Sequence, residues 1–265
     1  MLFGVSHRTL AFGLALAAVA SAQEELVRNF TGNRTAAADQ TAVAVNAAPN
    51  ISNEMRADIM MARKMYREAI EMYKQAPQDS PVVLNKIGIA YHQLAELQMA
   101  KRYYERSSKL KPSYAEAINN IGTVYYAQKS YRKAIASYKK ALEYSPESAS
   151  FLMNLGTAYF SRKNYELALA TYQEALKLDP EVFEHRGTHG TTLEERSVEE
   201  RAKFHYYLAR TYAKAGSTER ALLYLRKALE EGFKDRNKIL DEPEFAALRD
   251  MDEFKQIMAM ETKVL

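Results

Sequence analysis

The chain has 265 residues, 37 of them basic and 33 acidic, and no cysteine. The balance is only mildly positive, and no nucleic-acid partner is expected. The missing thiols exclude disulfides, thiol catalysis and a lipidated cysteine, though not export, since an exported chain can do without disulfides.

The N-terminus reads as a targeting segment. Arg8 supplies a basic start, residues 10–19 are almost continuously apolar, and Ala20-Ser21-Ala22 is a small-residue cleavage pattern. These features predict a signal peptide over residues 1–22 and a mature chain beginning at Gln23 in the periplasm or outside the cell. As a helix, residues 9–22 would reach about 21 Å. A bilayer core needs roughly 30 Å, so no stable membrane span is expected after cleavage. Residues 23–52 are rich in Ala, Thr and Asn with few large apolar side chains, and are expected to form a disordered leader.

Beyond the leader the chain repeats itself. Gly88, Gly122 and Gly156 are 34 residues apart, as are Tyr91, Tyr125 and Tyr159, then Ala100, Ala134 and Ala168, then Pro112, Pro146 and Pro180. Four residue types in one phase define an internal repeat. Each unit carries two apolar stretches with helical spacing, such as Ile118, Ile121, Val124 and Tyr125, then Tyr131, Ala134, Ile135, Tyr138, Ala141 and Leu142. The links are as short as Lys129-Ser130, so the two helices must run antiparallel. Glycine inside a helix costs about 1 kcal/mol against alanine. Close approach of the partner helix at Gly88, Gly122 and Gly156 explains why that cost is tolerated. The prolines stop each second helix.

These residues resemble the tetratricopeptide repeat (TPR) family. Leu152, Leu155-Gly156, Tyr159, Ala168, Tyr172, Ala175 and Pro180 carry its pattern over residues 149–182. Residues 115–148 do so through Ile118, Ile121-Gly122, Tyr125, Ala134, Tyr138, Ala141 and Pro146. Residues 81–114 do so too, with Ser107 in place of the last alanine. A further unit, about 202–235, repeats the phase 53 residues on, after an insertion at 183–201. A unit at about 53–80 is three residues short. The resemblance implies an all-α, right-handed α-solenoid of about five repeats over residues 53–235. Residues 236–265 are expected to form a C-terminal capping helix. Asp241, Pro243 and Glu244 look like its start. Ser197 with Glu200 is a capping-box pattern that starts the fifth unit's first helix near Ser197.

In the TPR family the first helices line a concave groove. Carried over, the groove positions are Asn85, His92, Asn119, Asn120, Tyr126, Asn154, Phe160, Tyr206 and Arg210, with Ile89, Thr123 and Thr157 between them. Asparagine amides both donate and accept, which suits a peptide backbone, and the aromatics offer large rigid contacts. Their replacement is expected to weaken binding without unfolding the chain. The Lys and Asn pattern that clamps a terminal carboxylate in chaperone-binding TPR proteins is not matched.

Catalytic patterns are absent: there is no Gly-rich phosphate loop, Gly-x-Ser-x-Gly elbow or His-Glu-x-x-His, and no cofactor is expected. The expected function is a non-enzymatic scaffold or adaptor that binds a protein or peptide segment in the groove. The alternative is an assembly subunit packing through solenoid edges or the cap. A remote third reading makes Glu184, His185 and His189 a metal site in the insertion. Lys101, Arg102, Lys109, Arg132, Lys133, Lys139 and Lys140 are either solvated helix faces or a footprint for a polyanion or membrane surface.

Overall fold

A computed structural model describes residues 51–184 and 197–260, which are helical throughout with no strand among them. Helices α1 (Asn53–Ala62) and α2 (Tyr66–Lys74) form the first pair. Three pairs of nearly constant size follow: α3 (Pro81–Gln93) with α4 (Leu97–Leu110), α5 (Ala115–Ala127) with α6 (Tyr131–Tyr144), and α7 (Ala149–Ser161) with α8 (Tyr165–Leu178). Helix α9 (Val198–Lys214) pairs with α10 (Thr218–Glu230). From α1 to α10 each helix packs on the next. Among the first helices, α5 also touches α3 on one side and α7 on the other.

The ends of these helices follow from side-chain chemistry. Ser52, Ser80, Ser148 and Ser197 each accept a hydrogen bond from the backbone amide three residues on, at Met55, Val83, Phe151 and Glu200. Each satisfies one of the donors that a helix start leaves open. The Ser197 cap bears out the early start expected for α9.

Inside each pair the chain reverses through one left-handed residue: Lys64, Ala95, Lys129, Lys163 and Gly216, with φ between 57° and 77°. Around Lys129, Ser130 N–H donates to Tyr125 C=O and Lys129 N–H to Tyr126 C=O, both at 2.8 Å. The same two bonds recur in every pair and close the helix ends. Only the last pair fills the position with glycine. The step from Lys64 to Ala95 is three residues shorter than the next two steps, in keeping with a nine-residue α2 against fourteen residues in α4, α6 and α8.

The helix pairs close over a ring. A Cβ placed on Gly88, Gly122 or Gly156 would lie 2.4, 2.6 and 2.5 Å from Cε1 of Tyr104, Tyr138 and Tyr172. These three tyrosines are essentially fully buried. Burial pushes the Tyr104 and Tyr138 hydroxyls well above their ordinary pKa. Tyr138 Oη donates to Thr123 Oγ1 at 3.4 Å, and Tyr172 Oη to Thr157 Oγ1 at 3.2 Å. Tyr73 donates to Asp58 across the same fifteen-residue separation. The fifth pair solves the contact differently, with Ala209 and Leu225 at the two equivalent positions, both fully buried. The first pair combines Ala57 with Tyr73, so that ring cannot approach its neighbour as closely.

The cap differs from the single helix expected. It consists of α11 (Arg236–Asp241), a 3-10 turn (Pro243–Leu248) and α12 (Asp252–Ala259). Asp241 ends α11 instead of starting a helix. The starting cap is Asp235, which accepts from Lys238 N–H at 3.0 Å. Pro243 does occupy the first position of its turn. Phe245, Leu248, Phe254 and Ile257 are buried, as their spacing implied.

Gly122→Ala is expected to lower the denaturation midpoint. Overpacking typically costs about 1–3 kcal/mol, more than the roughly 1 kcal/mol of helix propensity gained. Adding Tyr138→Leu should recover part of the loss by copying the Ala209–Leu225 arrangement. A single variant as stable as the parent would refute the close ring contact.

Candidate partner-binding surface

The groove asparagines are not open to a ligand. Asn85, Asn119, Asn120 and Asn154 are buried, none more than 5% exposed. Their amides join successive first helices. Asn154 Nδ2 donates to Asn119 Oδ1 at 3.1 Å, Asn119 Nδ2 to Asn120 Oδ1 at 3.3 Å, and Asn120 Nδ2 to Asn85 Oδ1 at 3.0 Å. The two bonds between repeats span 35 residues each, one more than the repeat, because they link adjacent positions in neighbouring units. Buried amides call for partners, and here three of the four donate to the next amide in the row. The expectation that these amides line an open groove is therefore corrected.

The aromatic positions divide. Phe160 is 4% exposed and packs edge-on against Tyr165, Phe204 and Tyr207, with centroids 5.2–5.9 Å away. It belongs to the core. Tyr126 is half-buried, with its hydroxyl 2.9 Å from Ser161 Oγ and its ring against Tyr131. His92 is half-buried beside Tyr104.

At the C-terminal end the cap occupies the face. Tyr206 is fully buried, stacks on Phe233 at 4.3 Å and donates to Glu242. Arg210 is 6% exposed, with Nη2 3.0 Å from Glu242 and 2.9 Å from Glu244. Burial tends to raise the Glu244 carboxyl pKa. The hydrogen bond from Arg210, its own backbone amide and nearby positive charge outweigh that and hold it below the ordinary value. Tyr206 and Arg210 thus fasten the last repeat to its cap. A partner segment cannot reach them while the cap is docked.

The face stays open at the other end. A cavity of about 370 Å³ lies among α1, α2 and α3, lined by Met61, Ala62, Tyr66, Tyr73 and Ile89 with Asp58, Lys64, Lys86 and Gln93 at its polar margin. Lys86 Nζ holds Glu54 and Asp58, each at 2.8 Å. Ile89 stands at an expected groove position. Asp58, Met61, Tyr66 and Gln93 were not singled out from sequence, although the repeat register puts Ile89 and Gln93 one helical turn apart on one face. Among the described residues no group of three potential metal ligands converges, and no helix is long and apolar enough to cross a membrane. His185, His189 and the predicted signal peptide lie outside the described residues.

Asn120→Ala is expected to destabilise the chain by about 2 kcal/mol. It removes two hydrogen bonds and strands Asn85 Oδ1 and Asn119 Nδ2 in a buried site. Urea denaturation followed by circular dichroism measures this. An unchanged midpoint would show that the amide chain does not join the repeats.

No curated protein matches the chain. Among solved structures, MamA from Desulfovibrio magneticus RS-1 is 21% identical, with 72% of this chain and 96% of that one covered and a TM-score of 0.47. A second MamA crystal structure is 20% identical, with 68% and 96% covered and a TM-score of 0.46. Tetratricopeptide repeat models match residues 82–114, 119–182 and 191–235, together more than half of the sequence. Their matches fall on the helix pairs described above, and the chain belongs to the tetratricopeptide repeat family.

Proposed function

We propose that this protein is an exported, non-enzymatic scaffold that holds an extended segment of a protein partner at the N-terminal end of its groove face. The TPR fold supports the general role of a protein-interaction scaffold. The observation that carries the finer reading is the cavity beside Ile89. It combines apolar walls with a few polar groups, the composition of a site that takes an anchoring side chain and fixes its orientation. Further along the same face the candidate side chains are used internally or covered by the cap. An apolar side chain of the partner enters between Met61, Tyr66 and Ile89, and Gln93 and Lys86 meet its polar flanks.

The competing reading is assembly through the cap. It draws on Leu240 and Met251, 45% and 38% exposed there. Affinity capture of partners from an envelope extract separates the two. Ile89→Ser should weaken a captured partner's binding by about 2 kcal/mol, the size of a central hot spot and roughly 30-fold in Kd. Leu240→Ser with Met251→Ser should leave that binding unchanged. The reverse pattern, with circular dichroism showing both variants folded, would favour assembly through the cap.

Export rests on the sequence of residues 1–22. N-terminal sequencing of protein recovered from cells should read from Gln23. A cytoplasmic chain that keeps Met1 would defeat this part of the proposal.

A further inference from the structure

The second helices carry a charge pattern that partner binding in the groove does not use. Helices α4 and α6 each have four basic residues and one acidic, whereas α8 has one basic and two acidic. The cations are not neutralised locally. Arg102, Arg106 and Lys109 on α4, and Arg132, Lys139 and Lys140 on α6, are all exposed. None of the six forms an ion pair among the described residues, where the only pairing on these two helices is Lys101 with Glu105 at 3.5 Å.

The two helices bring cationic side chains side by side. Lys101 of α4 and Lys133 of α6 both sit against the ring of Tyr125, 4.8 and 5.5 Å from its centre. The repeat register also makes Arg106 and Lys140 equivalent positions, 34 residues apart. Beside them, at the C-terminal ends of the same helices, Leu110 and Tyr144 are 50% and 45% exposed. Leu178 continues this apolar row on α8, but the positive charge does not continue with it.

We propose that the face formed by α4 and α6 docks on an anionic membrane surface. Clustered lysines and arginines are drawn to acidic headgroups. Long cationic side chains keep their charge at the phosphates while their stems and neighbouring apolar side chains settle into the headgroup boundary. An acidic polypeptide would satisfy the charges alone, and nothing in that pairing calls for Leu110 and Tyr144 to lie uncovered beside them. This face is distinct from the cavity at Ile89, so a docked chain keeps that cavity available to a partner.

Co-sedimentation of the full chain with vesicles tests this. Phosphatidylcholine vesicles containing phosphatidylglycerol should bind it, and binding should weaken as sodium chloride screens the charges. Pure phosphatidylcholine vesicles score any contribution of the apolar segment at residues 10–19, and should bind far less. Arg106→Glu with Lys140→Glu should reduce binding to the anionic vesicles at least tenfold, with the circular dichroism spectrum unchanged. The proposal is overturned by equal binding to both vesicle types, by undiminished binding of the double variant, or by no vesicle binding at all. Tighter binding to polyglutamate or double-stranded DNA than to the anionic vesicles at equal salt would also overturn it, and would assign the face to that polyanion.

Discussion

The structure depends on how closely two antiparallel helices can approach. In three successive pairs a tyrosine ring from the second helix lies where a Cβ on the first would have to be. Glycine is the residue type without that atom. The helix-propensity loss is offset by a fully buried aromatic side chain, which brings far more apolar area into the core than an alanine methyl. The ring also delivers its hydroxyl to Thr123 or Thr157 on the facing helix. In those two pairs one contact thus sets the spacing and satisfies the polar atom that comes with it. The fifth pair shows that the contact is a solution rather than a requirement. Ala209 and Leu225 fill the same space with a methyl and a shorter side chain, and no hydroxyl has to be satisfied.

Most of this architecture was legible because the repeat samples the same geometry several times. The phase of Gly122, Tyr125, Ala134 and Pro146 gave the pairing, the antiparallel turn and the position of close approach. Ser197 and Glu200 located the start of α9. The cap was harder, since nothing repeats there. Asp241, Pro243 and Glu244 satisfied a helix-start pattern, yet Asp235 had already started α11, and Glu242 was needed by Tyr206 and Arg210. A local pattern does not reveal that one of its members is committed to a distant partner.

The groove residues failed for a related reason. Register places a residue on a face, but not at a given depth. Asn120 and Asn154 do stand on first helices at equivalent positions. The neighbouring repeat, however, brings Asn85 and Asn119 within hydrogen-bonding distance of them. A buried amide left without partners costs about as much as a lost helix cap or a deleted methyl, so amides brought so close pair with each other before any ligand arrives. The change of residue type along the row carries the signal. At the N-terminal end the next equivalent is Lys86, which joins Glu54 and Asp58 by charge. At the C-terminal end Met153 and Tyr207 succeed the asparagines, and both pack against the core.

That gradient gives the face a direction. From the fifth repeat towards the first, it passes from an ion network closed under the cap, through a sealed chain of amides, to a cavity with apolar walls. Closure increases towards the cap because each successive first helix carries more aromatic rings: Tyr91 on α3, Tyr125 and Tyr126 on α5, Phe151, Tyr159 and Phe160 on α7, then Phe204, Tyr206, Tyr207 and Tyr212 on α9, where Phe160 packs edge to face with Phe204 and Tyr207. Aromatic rings that meet one another in this way have little area left for a partner. The groove face therefore spends its C-terminal half on stability. The proposed recognition site lies at the other end, in the cavity beside α1 and the short nine-residue α2.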